Sequence, residues 1–179
     1  MDPSRDLRPW EYEHTKRIHV YKLPAATFPS TSSQEFEELE EQLSDGASKD
    51  LTAKILAKKY YEVAAAHNDR QFERHLEPWC SALPSFTFET AYGGEQVVGL
   101  EAYLELGKRL FGGDPQLKVE VLDVTIQIDP IAGMAEAFAN QALISPNLTR
   151  RSVCVVEYRR VEGQWLMACG KNIKGDDNI

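Results

Sequence analysis

Several carboxyl, phenol and amide groups sit where the surrounding sequence is apolar, and these are the residues with which the chain could do chemistry. Tyr60 and Tyr61 lie in LTAKILAKKYYEVAAAH (51–67), and Glu89 follows Phe86 and Phe88 in PSFTFETAY (84–92). Glu136 lies in AGMAEAFANQALIS (132–145), which also carries Asn140 and Gln141, and Glu157 lies in RRSVCVVEYRRV (150–161). A carboxylate held among apolar neighbours has a raised pKa and can move a proton near neutral pH. A phenol can donate to a developing oxyanion, and a carboxamide can orient a ligand carbonyl. Burying a carboxylate without a partner is costly, so an inward-facing Glu157 would signal a role.

Other chemistries find little support. His14, His19, His67 and His75 all precede residue 84, where the strand-like half of the chain begins. No histidine is therefore available there to activate Cys154 or Cys169, which read as small buried residues. Cys80, Cys154 and Cys169 are odd in number and show no CxxC spacing, which argues against a disulfide framework or a structural zinc site. No nucleotide fingerprint, P-loop or metal cluster appears, so no cofactor and no metal are expected. The net charge of -8 argues against a nucleic-acid partner. No apolar run reaches the roughly 20 residues needed to cross a bilayer, and the polar start MDPSRDLRPWEYEH lacks the core of a secretory signal. The expectation is a cytoplasmic protein without a membrane partner.

The elements that must position these groups follow from periodicity. Residues 1–50 form an N-terminal extension: a short strand in RIHVYKLP (17–24), a Pro/Ser/Thr connector, and an acidic helix in QEFEELEEQLSDG (34–46). It reads as a surface-packed extension or as a lid or dimer arm over the main domain, 51–179. In the helix from residue 51, Leu56, Tyr60, Val63, Ala64 and His67 share one side, opposite Lys58, Lys59 and Glu62, with Tyr61 on the flank. Asn68 and Asp69 stop it, and Asp69 is placed to cap a second short helix, RQFERHLEP (70–78). A hairpin (84–99), a helix (100–113) and four strands (116–129, 132–145, 150–161, 164–173) complete the chain. The apolar parity shifts near Asp123, from Leu117, Val119 and Val121 to Val124, Ile126 and Ile128, which predicts a β-bulge. SVCVVEY is apolar on both parities, which predicts a central strand covered on both faces.

The order of elements, with YYEVAAAHNDRQFERHLEP for the opening helices, VVGLEAYLEL for the strand-to-helix step and VEGQWLMACG for the closing hairpin, resembles the nuclear-transport-factor-2-like superfamily over about residues 51–173. That superfamily includes ketosteroid isomerase, scytalone dehydratase and SnoaL-like cyclases. The resemblance implies an α+β fold, a cone in which a strongly curved mixed β-sheet wraps around the N-terminal helix. It also implies a pocket at the open end, and dimerisation through the outer sheet face. By analogy with the isomerase, Tyr60 or Tyr61 would be the oxyanion donor, and the wheel and the ungapped count choose differently between them. Glu89 lies near the general-base position, and Val155 stands where the second donor would be, leaving Glu157 as its shifted substitute. Ala65-Ala66 replaces the dehydratase's tyrosine-aspartate pair. The expected site therefore has Tyr60, Tyr61, Glu89 and Glu157 as catalytic groups, with Trp79, Phe88, Glu136 and Asn140 against the substrate. Two functions are compatible with it. One is a cofactor-independent isomerase, cyclase or dehydratase acting on a small apolar molecule of polyketide or terpenoid type, as a homodimer. The other is a noncatalytic cone that binds a ligand or a protein.

Overall fold

The first helix organises the rest. In the computed structural model, which describes residues 18–24, 49–91, 94 and 96–175, α1 spans Lys49–Asn68. Leu56, Tyr60, Val63, Ala64 and His67 are all buried, so the wheel's apolar side is the packed side. Around it runs one seven-stranded sheet in the order β1-β4-β5-β6-β7-β2-β3. Its strands are β1 (His19–Pro24), β2 (Ala82–Glu89), β3 (Gln96–Val98), β4 (Lys118–Asp129), β5 (Met134–Ser145), β6 (Leu148–Val161) and β7 (Gln164–Lys174). A second helix, α2 (Leu100–Gly113), follows β3 and packs on β2. All neighbouring pairs are antiparallel except β2 with β7, which makes the sheet mixed. The architecture is an α+β cone with the curved sheet closing on α1.

The concave side of the sheet is the core. Val124, Ile126 and Ile128 of β4 and Ala135, Ala137 and Ala139 of β5 are all 3% exposed or less. The alanines leave volume beneath α1, which contacts both strands. The expected bulge is present: the β4–β5 register shifts between Val121 and Asp123, so Leu122 is the extra residue and the inward parity changes there. β6 is the fourth of the seven strands, and Cys154, Val155 and Val156 are all buried, as a strand covered on both faces requires. The expected N-terminal strand forms and pairs with β4, giving the sheet an added edge. The acidic helix expected at 34–46 lies outside the described residues.

The second short helix does not form. The Asp69 amide bonds the Ala65 carbonyl, so Asp69 closes α1 and does not cap a new helix. Gln71 N–H then donates to Ala66 O (2.8 Å) and Arg70 N–H to His67 O (3.2 Å), the two crossed bonds of a Schellman ending. The left-handed position falls on Arg70 (φ 56°), where glycine is usual, at a cost of about 1–2 kcal/mol. Its guanidinium offsets this by donating to the carbonyls of Asn68, Asp114 (3.2 Å), Pro115 (2.7 Å) and Leu117 (3.0 Å). Residues 71–78 run on irregularly, ending in one 3-10 turn at Trp79–Ser81.

Candidate binding cavity

A cavity of about 360 Å³ lies between α1, α2 and the concave faces of β2, β5, β6 and β7. Its apolar wall is aromatic. Trp79, Phe86, Phe88, Tyr103 and Phe111 all line it, and Phe86 and Phe88 each pack on Tyr103, with ring centroids 5.2 and 4.9 Å apart. The sequence places them simply: Phe86 and Phe88 share a parity on β2, and Tyr103, Gly107 and Phe111 share a face of α2. Gly107 is required there, because the Phe72 ring lies where any side chain would begin.

Two hydrogen-bonded groups interrupt this apolar lining. On the helical side, His67 Nδ1–H donates to the Val63 carbonyl at 2.7 Å, which fixes the ring's proton on Nδ1. Nε2 is then an acceptor, and the Tyr103 hydroxyl donates to it at 3.2 Å. Burial lowers the His67 pKa to about 4, against a smaller opposing effect of the Val63 carbonyl, so the ring is neutral at pH 7. Burial also pushes the Tyr103 phenol well up, with a further contribution from Cys154. The pair is thus a neutral phenol on a neutral imidazole. Phe72, Trp79, Tyr103 and Phe111 surround that imidazole, with centroids 5.1–5.9 Å from its own.

On the sheet side, the Tyr60 hydroxyl donates to Gln141 Oε1 at 2.6 Å. Gln141 Nε2 in turn faces Ser152 Oγ (3.5 Å) and Asn172 Oδ1 (3.4 Å). Gln141 and Ser152 are direct partners across β5 and β6, and Asn172 lies opposite Cys154 on β7, so three adjacent strands contribute to one polar line. The pKa of Tyr60 is raised well above the usual phenol value, first by burial and then by the neighbouring Cys154 thiol. Burial pushes Cys154 itself up to about 11, so it stays a thiol and is no nucleophile at neutral pH.

Of the residues expected at the site, Tyr60, Trp79 and Phe88 line this cavity. The other five do not. Tyr61 sits on the flank of α1, partly buried, and its pKa is raised by burial and by Asp123. Glu89 is exposed on the opposite side of β2 from Phe86 and Phe88, beside Lys171 in register. Glu136 and Glu157 are direct cross-strand partners on the convex face, where Glu157 accepts from Arg159 Nε at 2.7 Å. Asn140 is also convex, donating to Asp123 Oδ1 at 2.8 Å. Its neighbour Gln141 takes the inward position that either could have held. Strand alternation explains each correction: Ala137, Ala139 and Gln141, and likewise Ser152, Cys154 and Val156, are inward, so Glu136, Asn140 and Glu157 point out.

Among the described residues that line the cavity there is no aspartate or glutamate. Tyr103, Ser152, Asn172, Arg109 and Arg150 were missing from the expected set. Tyr103 was legible on the α2 wheel, and Ser152 shares a parity with Cys154. Asn172 was not. β7 carries its extra residue at Ala168, because Glu157 pairs with Cys169 and Tyr158 with Met167, and the shift turns Gly170 and Asn172 inward.

No protein-family model and no curated protein sequence matches the chain. Solved structures do. An NTF2-like protein of unknown function from Pseudomonas putida is 17% identical, covering 74% of this chain and 92% of its own, with a TM-score of 0.60. An NTF2-like protein with a cystatin-like fold from Novosphingobium aromaticivorans is 12% identical, covering 84% of this chain and 94% of its own (TM-score 0.57). A candidate ketosteroid isomerase from Kribbella flavida is 16% identical, covering 71% of this chain and 82% of its own (TM-score 0.50). These likenesses concern the fold, which is the NTF2-like cone.

Proposed function

We propose that this NTF2-like cone takes up a small, largely apolar molecule and holds it without transforming it. The observation that supports the reading is the wall chemistry: an aromatic cavity with one neutral polar line on the sheet side and one neutral Tyr103–His67 pair on the helical side. Aromatic walls bind an apolar body, and a few fixed polar groups set its orientation. The acid/base enzyme implied by resemblance needs a proton acceptor beside the substrate. Glu89 and Glu157 lie outside the cavity, and the acceptor lone pair of His67 is already bonded to Tyr103.

The test is a titration of the purified protein with steroid, terpenoid and aromatic polyketide ketones. It is followed by calorimetry, with each ligand recovered afterwards and identified by mass spectrometry. The expected result is saturable one-to-one binding, weakened about tenfold in Gln141→Leu, with the compound recovered unchanged. Recovery of an isomerised, cyclised or dehydrated product would sink the noncatalytic reading and favour the enzyme.

A further inference from the structure

Two arginines line the mouth of the cavity, Arg109 from α2 and Arg150 from β6, and both are exposed to solvent. In a chain of net charge -8, this is a local reversal of sign. The polar line inside has a direction as well. Tyr60 gives its proton to Gln141, and Gln141 gives its own to Ser152 and Asn172. Each step consumes an acceptor and passes a donor onward. The far end of the line therefore presents the Ser152 O–H and the Asn172 amide N–H groups. Ser152 is two residues from Arg150 on the same face of β6, and Asn172 lies on the adjacent β7, so these donors and a guanidinium lie on neighbouring strands toward the mouth. A guanidinium carries five donors, enough to serve a ligand alongside any partner it already has. The site thus offers donors and positive charge at one end and aromatic surface at the other. It offers no carboxylate among its described lining residues to repel an anion.

We propose that the ligand is an amphipathic organic acid: an apolar, ring-sized body seated among Phe86, Phe88 and Tyr103, with its anionic group against Ser152, Asn172 and the two arginines. This rests on the reading that the cavity binds a small molecule and narrows it to one charge class. The acid group accepts from the donors that the polar line leaves facing outward, and the mouth arginines raise its local concentration from bulk water. A neutral ketone of the same body keeps the aromatic contacts and loses the charge-assisted bonds.

The experiment uses two fluorescent probes with one body, neutral N-phenylnaphthylamine and its sulfonate, anilinonaphthalene sulfonate, titrated into the full chain. The expected result is that the sulfonate binds about tenfold tighter. In the double variant Arg109→Gln/Arg150→Gln the ratio of the two affinities should fall about threefold or more, since exposed charge contacts of this kind are individually weak but here act together. The sulfonate's advantage should also shrink as salt is raised. Equal affinities for the two probes would overturn the acid and leave the cavity reading standing. A sulfonate preference that survives the double variant would overturn it too, because the anion would then be bound elsewhere. If neither probe binds, the cavity reading itself fails and takes this proposal with it.

Discussion

The two faces of β5 and β6 are one residue apart in sequence and belong to different chemical environments. The concave face carries Ala137, Ala139, Gln141, Ser152, Cys154 and Val156, all neutral, with the cation Arg150 at its exposed end. The convex face carries Glu136, Asn140, Glu157 and Arg159, three of them charged, with ion-pair and amide contacts to one another and to Asp123. The lesson is that this fold has sorted its acidic groups outward and kept hydroxyls, amides and thiols within. A glutamate in an apolar strand is therefore no sign of a buried acid here. Its parity decides, and the two glutamates nearest the centre of the sheet share the outer parity.

The contrast can be broken most forcefully by moving a charge across it. Ala139→Asp puts a carboxylate at a position with 0% exposure and should cost roughly 4 kcal/mol or more in urea unfolding. Asn140→Asp, one residue on and exposed, exchanges an amide bond to Asp123 for a like charge and should cost about 1 kcal/mol. Equal costs would mean that the two faces do not differ as described.

The next effect in size is acid sensitivity. The folded pKa of His67, about 4, lies below its ordinary value of 6.5, so the unfolded chain binds the extra proton between them. Stability from this group is complete above about pH 6.5 and is lost as pH falls toward 4, by about 3 kcal/mol in all. Urea midpoints measured across that range should show the decline, and His67→Phe should flatten it. An unchanged slope in the variant would assign the acid sensitivity to other groups.

Tyr60 and Tyr61 sharpen the comparison on a single helix. Tyr60→Phe leaves Gln141 Oε1 without its donor in a buried site and should cost about 1–2 kcal/mol. It should also weaken ligand binding, whereas Tyr61→Phe should leave ligand affinity unchanged because Tyr61 lies outside the cavity lining. The smallest effects belong to the convex face. Glu136→Gln and Glu157→Gln should each move stability by no more than about 0.5 kcal/mol and leave ligand affinity as it is.

The sequence carried the fold further than the site. Periodicity located α1, α2 and the strands, and the parity change at Leu122 was visible because bulky aliphatics flank it on both sides. The packed side of α1 was equally plain, since lysines and a glutamate mark the opposite side. The site was harder for a physical reason. SVCVVEY is apolar on both parities, so nothing in it says which side is concave, and Glu157 could be placed either way. At the second register shift the residues are Ala168, Cys169 and Gly170, too small and too alike to show a change of phase, which hid Asn172. The missing second helix was a matter of tertiary preference. Its residues have adequate helix propensity, but the carbonyls of Asp114, Pro115 and Leu117 hold Arg70 in a conformation that no helix continues.

Arg70 has a further consequence. It never meets whatever enters the cone, yet it fastens the end of α1 to the backbone at residues 114–117, and its guanidinium lies 5.7 Å from the centroid of Phe111. Asn68 adds two bonds to the backbone of Val119, and both Phe111 and Val119 line the cavity. This wall of the cavity is thus held from behind: a lysine at position 70 could not span the same set of carbonyls, and the wall would shift without any change in the groups that face the guest.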